Sequence, residues 1–200
     1  MSNNDTSSAI SSTGDRRVRK TRSALKKALT TLMLTKNINS ISVKELTDIA
    51  DINRGTFYLH YKDVYDLLHQ SEDELMQTLV ETVNSFSAEA LEHDPSALFK
   101  ELYTICRQHH DVVNILISEN GDIKFIRSLE MLLRDKCLRD WSITIKKSSM
   151  EHFDAYYAFI VGGVLSVIQY WFANGMAETP EELAKITSDF INQARSADKM

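Results

Sequence analysis

Between Arg54 and Tyr61 the chain reads Arg-Gly-Thr-Phe-Tyr-Leu-His-Tyr, interleaving a guanidinium, hydroxyls and an imidazole with aromatic rings. An arginine in such a segment can donate a bidentate fork to a guanine edge. Thr56, Tyr58 and His60 can reach phosphate oxygens or base edges, and Gly55 lets a partner approach the backbone closely. Lys44 and Lys62 flank the segment, while Ser42 stands at a helix start whose free N–H groups can face a phosphate. Upstream, Arg16, Arg17, Arg19, Lys20 and Arg22 form a basic run suited to backbone contacts. From Arg16 to Lys62 there are eleven basic residues against three acidic ones, a local charge of +8. The whole chain carries −5, so the remainder carries −13. One end is therefore suited to a polyanion that the average charge would argue against.

Other chemistry has weaker support. Cys106 and His110 stand four residues apart, but two ligands on one helix do not make a metal site. Cys106 and Cys137 lack a basic Cys-x-x-Cys setting, so a redox role has no support. No Gly-rich phosphate loop, His-Glu-x-x-His, Gly-x-Ser-x-Gly or array of paired carboxylates is present. Neither an enzyme nor a cofactor is expected.

The elements that must position the basic segment are legible from local signals. Residues 1–15 are rich in Ser, Asn, Asp and Thr and read as a disordered tail. Val18, Leu25, Leu29, Leu32 and Met33 recur at helical spacing, and Lys36-Asn37 is expected to end that helix through a left-handed Asn. Ser42-Val43-Lys44-Glu45 reads as a capping box, starting a short helix with Val43, Leu46, Ile49 and Ala50 on one face. Asp51-Ile52-Asn53 supplies a turn, and Asn53 can cap a second short helix over 54–61 with Phe57 and Tyr61 turned inward. Two short helices behind a longer one make a helix-turn-helix.

Downstream, a long helix is expected from Asp63 to Phe86 or beyond, until His93-Asp94-Pro95 breaks the pattern. The next, over 95–109, places Leu98, Leu102, Ile105 and Cys106 on one face. A short apolar piece covers 112–117, and long helices cover 125–147 and 150–174, the latter closed by Gly175. Thr179-Pro180-Glu181-Glu182 starts the last, with Thr179 as cap and Pro180 at the first position. The expected fold class is all-α, about nine helices with no strand. Composition agrees: 200 residues and 22.8 kDa, 43% hydrophobic, with Gly 6 and Pro 2. No apolar run approaches the roughly 18–20 residues that cross a bilayer. The N-terminus carries no secretory pattern, so a cytoplasmic location with reduced cysteines is expected.

The string from Ser42 to Tyr61, followed by Lys62-Asp63-Val64-Tyr65-Asp66-Leu67, closely resembles the DNA-binding domain of the TetR family of transcriptional regulators. The resemblance spans about Arg17 to Leu68, and its hallmark is Arg/Lys-Gly-Thr-Phe-Tyr-x-His-aromatic. The stretch 156–180 further resembles a branch common in low-GC Gram-positive bacteria. Three positions depart from the family pattern. Asp51 and Asn37 stand where Gly is usual, and Val64 stands where a phosphate-binding Lys is usual, leaving Lys62 to compensate.

The resemblance implies three segments: a tail (1–15), a helix-turn-helix domain (16–64), and a helical regulatory and dimerisation domain (65–200). It also implies a homodimer on a palindromic DNA operator, acting as a repressor under control of a small molecule; an activator, or control by a protein docking on the acidic domain, are the alternatives. The DNA-binding residues would be Ser42, Lys44, Arg54, Gly55, Thr56, Tyr58, His60 and Lys62, with Arg19 and Arg22 from the basic run. The dimer interface would draw on Phe153, Tyr157, Ile160, Val164, Leu165, Ile168 and Trp171, with Ile186 and Phe190 from the last helix. Gly162-Gly163 would permit close helix approach. An effector pocket would draw on Tyr103, His109, Trp141, Tyr156 and Tyr170.

Overall fold

A computed structural model describes residues 5–118, 123–141 and 153–197. These residues contain ten α-helices, one 3-10 turn and no strand. The chain divides into two compact units, residues 1–72 and 73–200. The division falls eight residues beyond the boundary expected at 64.

The first unit begins with α1 (Asp5–Met33), then a 3-10 turn (Ile38–Ser40), α2 (Val43–Ala50), α3 (Arg54–Tyr58) and the start of α4 (Val64–Ser85). α1 already covers residues 5–15 of the stretch read as a disordered tail. Once a helix is nucleated, each further residue adds one hydrogen bond, so an extension needs no core of its own. The packed part of α1 is its C-terminal third, where Leu25, Ala28, Leu29, Leu32 and Met33 are buried. They join Leu46 of α2, Phe57 of α3, Tyr61 and Leu67 in one core. Full burial of a leucine or phenylalanine contributes about 1.5–3 kcal/mol, so a handful of such residues holds this small unit together.

Two expected core residues lie outside that core. Val18 and Ile49 are 42% and 49% exposed. Thr47 takes the buried place on α2, its hydroxyl donating to the Val43 carbonyl at 2.8 Å. A polar residue is tolerated there because its donor is satisfied. The first helix also ends earlier than expected. Thr35 and Lys36 N–H both donate to the Leu32 carbonyl, and Asn37 is extended (φ −68°), capping the 3-10 turn by accepting from Asn39 N–H. No left-handed residue is needed there.

The second unit contains the rest of α4, then α5 (Ala88–His93), α6 (Ser96–Gln108), α7 (His110–Leu116), α8 (Ile123–Trp141), α9 (Phe153–Ala173) and α10 (Pro180–Ala197). Sequence reading merges α4 and α5; in the structure Ser87 caps a new helix by accepting from Ala90 N–H. α6 packs along α10. The buried face of α6 carries Phe99, Tyr103, Ile105 and Cys106, with Leu98 and Leu102 half-buried, so it is rotated from the expected stripe. Opposite stand Leu183, Ala184, Thr187 and Ile191 of α10, all buried. Lys100 and Glu181 pair at 3.0 Å across the two helices. α9 ends through left-handed Gly175 and Met176 (φ 69° and 55°), Met176 N–H donating to the Trp171 carbonyl at 2.8 Å. α10 begins at the expected Thr179 cap, and the capping is reciprocal: Glu182 N–H donates to Thr179 Oγ1, and Thr179 N–H donates to Glu182 Oε2. Among the described residues no helix is long and apolar enough to cross a membrane.

Candidate nucleic-acid interface

Local capping fixes each turn of the first unit. Ser42 Oγ accepts from Glu45 N–H at 3.2 Å, starting α2. The Glu45 carboxylate pairs with Lys36 Nζ, so it ties α2 to the segment that follows α1. Asp51 closes α2 in a left-handed conformation (φ 53°, ψ 48°), as a residue replacing Gly must. Asn53 then starts α3, its Oδ1 accepting from Gly55 N–H at 2.7 Å. A Cβ on Gly55 would come within 3.1 Å of that same oxygen, so the glycine serves the cap as well as leaving an open surface.

The inward side of α3 is aromatic. Phe57 and Tyr61 are 0% and 2% exposed, with ring centroids 5.7 Å apart. The Tyr58 ring stands edge-on against Phe57 at 5.4 Å and 84°, yet remains half exposed. Packing thus orients the ring while about half of the side chain stays exposed. Arg54, Gly55 and Lys62 are exposed, as are Ser42, Lys44 and Arg19; Thr56 and His60 are half-buried. Arg22 is engaged within the unit. Its guanidinium lies 5.7 Å from the Tyr61 ring centroid and donates to Gln70 Oε1 at 3.0 Å. Gln70 in turn donates to Asp66 Oδ1 at 3.1 Å, and Asp66 Oδ2 accepts from Lys62 N–H at 2.8 Å. Asp66 N–H also donates to Asp63 Oδ1, the start of α4. The Lys62 N–H, then Gln70, hold the Asp66 carboxyl below the usual aspartate range. This relay anchors the segment that follows α3.

Two positions alter the expected picture. Val64 is 5% exposed, so the place of the usual lysine is occupied by a core residue and the exposed cation is Lys62. Leu59, which the inward spacing leaves unassigned, is 80% exposed. The signal that could have found it is an apolar residue two positions from each inward aromatic.

In the second unit the expected residues divide by setting. Tyr103 is fully buried and its hydroxyl lies 2.7 Å from Thr187 Oγ1. Thr187 donates to the Leu183 carbonyl, which leaves Tyr103 the donor in that bond. Burial pushes the Tyr103 phenol up to about 12. Trp171 is also fully buried, edge-on to Tyr103 at 5.9 Å, with its indole N–H donating to the Glu178 carbonyl at 3.0 Å. Tyr103, Trp171 and the buried Ile168 are therefore core residues of this unit. His109 is exposed at the α6–α7 junction and Tyr170 is exposed on α9. The side chains of Trp141, Tyr156 and Phe153 lie outside the described residues.

Tyr157, Ile160, Val164 and Leu165 are half-buried, and the Tyr157 hydroxyl donates to the Glu130 carbonyl. Ile186 and Phe190 are exposed, as are Phe159 and Tyr170, two residues absent from the expected interface set. A Cβ added to Gly162 or Gly163 would meet nothing within 4 Å. An open cavity of about 580 Å³ lies between α7 and α9, lined by Asn114, Ile117, Ser118, Gln169, Phe172 and Ala173. Cys106 is buried, and burial pushes its thiol up to about 12, the opposite of a reactive thiolate. Among the described residues no group of His, Cys, Asp and Glu could hold a metal ion.

Residues 93–193 match a family model for the TetR transcriptional regulator C-terminal region. The chain belongs to the TetR family. TetR-family proteins are transcriptional regulators, not enzymes. A curated relative from Bacillus subtilis, the uncharacterized HTH-type transcriptional regulator YxbF, is 21% identical over 181 residues. That match covers 86% of this chain but 44% of the relative, so the chain spans less than half that protein's length. Solved TetR structures share the fold. A regulator from Streptococcus agalactiae superposes with a TM-score of 0.51 at 18% identity, covering 90% of this chain and 98% of its own. One from Syntrophomonas wolfei gives 0.57 at 16%, covering 88% and 95%. SmeT, solved in complex with triclosan, gives 0.59 at 14%, covering 87% and 90%. Within a TetR reading, the three departures are physically absorbed: Asp51 adopts the left-handed turn, Asn37 becomes a cap, and Val64 joins the core.

Proposed function

We propose that this TetR-family regulator binds a palindromic DNA operator as a homodimer, with one α3 entering each of two successive major grooves. The observation that carries this reading is the presentation of α3. Phe57 and Tyr61 lock one side into the core, while Arg54, Gly55 and Tyr58 stay exposed within a segment of charge +8. Arg54 reads a guanine edge, Tyr58 and His60 reach base edges or phosphates, and Thr56 contacts a phosphate or thymine methyl. Ser42, Lys44, Lys62 and Arg19 hold the sugar-phosphate backbone. Arg22 acts mainly by positioning the segment after α3. Half-sites then repeat at about 34–36 Å or somewhat more.

Dimerisation uses the exposed apolar side chains Phe159, Tyr170, Ile186 and Phe190, with Gly162 and Gly163 leaving room for a partner helix. Binding to a promoter represses by occlusion. A small molecule in the second unit relieves it, and the cavity between α7 and α9, with amides of Asn114 and Gln169 at its lining, is the favoured seat. The SmeT–triclosan complex supports small-molecule control as the reading for this fold. Selection from a random duplex library tests the proposal. An enriched inverted repeat is the expected result, and recovery of unenriched sequence would overturn it.

A further inference from the structure

We propose that Leu59 is a specificity-determining residue that reads the C5-methyl group of a thymine; this rests on the DNA-binding reading above. Leu59 is 80% exposed, more than any other large apolar side chain among the described residues. It is the C-cap of α3 and still helical (φ −72°, ψ −21°), so the rotation of the helix extends through it. With Phe57 and Tyr61 inward, that rotation sets Leu59 on the line farthest from the core, one turn after Gly55. The Tyr58 ring, fixed edge-on against Phe57, stands next to the leucine.

A single exposed leucine is ordinary on a protein surface. The setting decides this one. It occupies the outermost point of a capped helix inside a segment of charge +8, where charge complementarity selects a polyanion as the covering surface. A leucine can neither donate nor accept a hydrogen bond. The apolar group that a major groove offers is the thymine methyl, which separates thymine from the other three bases.

The test uses a duplex selected from random DNA by the wild-type protein, in which each thymine is replaced in turn by deoxyuridine. This removes the methyl and keeps the pairing and O4. The wild type is expected to bind about four-fold more weakly at one thymine of each half-site, the affinity equivalent of one buried methyl group. L59A is expected to bind the thymine and uracil duplexes alike, and L59I to keep part of the difference. Leu59 is exposed, so its truncation leaves the core intact, and circular dichroism of each variant checks the folding directly. Absence of any uracil effect in the wild type, or the same effect persisting in L59A, would overturn the assignment alone. A selection that enriches no sequence would overturn the DNA-binding reading, and this assignment with it.

Discussion

At the residue scale, Arg54 and Lys62 differ in what they can discriminate. Arg54 stands exposed at the start of α3, where a guanidinium fork matches the two acceptors of guanine. R54A should cost about 1–3 kcal/mol on the preferred duplex and relax preference at one position per half-site. Uniform weakening on every sequence, measured by fluorescence anisotropy, would make Arg54 a phosphate contact. Lys62 is an exposed point charge whose backbone, through Asp66, is already fixed. K62A should therefore weaken all sequences alike and lower the slope of log affinity against log salt by about 1. An unchanged slope removes Lys62 from the backbone contacts, and Val64 cannot replace it, being buried.

At the element scale, the stability of the turns is open to test. Asp51 and Met176 both adopt left-handed backbone, a conformation that costs an L residue roughly 1–2 kcal/mol. D51G and M176G should each raise the melting temperature, M176G more clearly because Met lacks the short polar side chain that eases this geometry. A lower melting temperature for M176G would mean its side-chain packing outweighs the strain. Asp66 gives a pH signature. Its carboxyl is depressed in the folded chain, so its contribution is fully present above the ordinary aspartate range and is lost as pH falls below it. D66N should flatten that acid limb in a titration followed by circular dichroism; an unaltered limb would assign acid sensitivity to other carboxylates.

These elements also separate what was legible from what was not. Ser42, Asn53 and Thr179 announce helix starts through their own side chains, and all three accept the expected backbone N–H. Capping is local, so residue order suffices. The roles of Tyr103 and Trp171 depend on Thr187 and Glu178, residues distant or across a turn, and an aromatic residue on a helix reads the same in a core, a pocket or an interface. Ile49 and Val18 were misplaced for the same reason: periodicity finds an apolar face without saying how much of it a neighbour covers.

At the scale of the whole molecule, the proposed binding to an inverted repeat requires two copies. Ile168 is buried, so a charge there would unfold the second unit instead of reporting on assembly. Phe190 and Phe159 are 60% and 68% exposed and give the cleaner test. F190E and F159E should fold and sediment as monomers, with operator affinity falling in parallel. Dimers that persist in the double variant would move the interface away from α9 and α10. The charge partition bears on the same proposal: a +8 segment would be drawn to phosphate and a −13 remainder repelled by it.

The proposed role requires that the basic segment read sequence rather than merely charge. The most direct measurement is the ratio of affinities for the selected duplex and for a scrambled duplex of equal length, at one physiological salt concentration. A ratio of at least about a thousandfold is expected. A ratio near one would contradict that role.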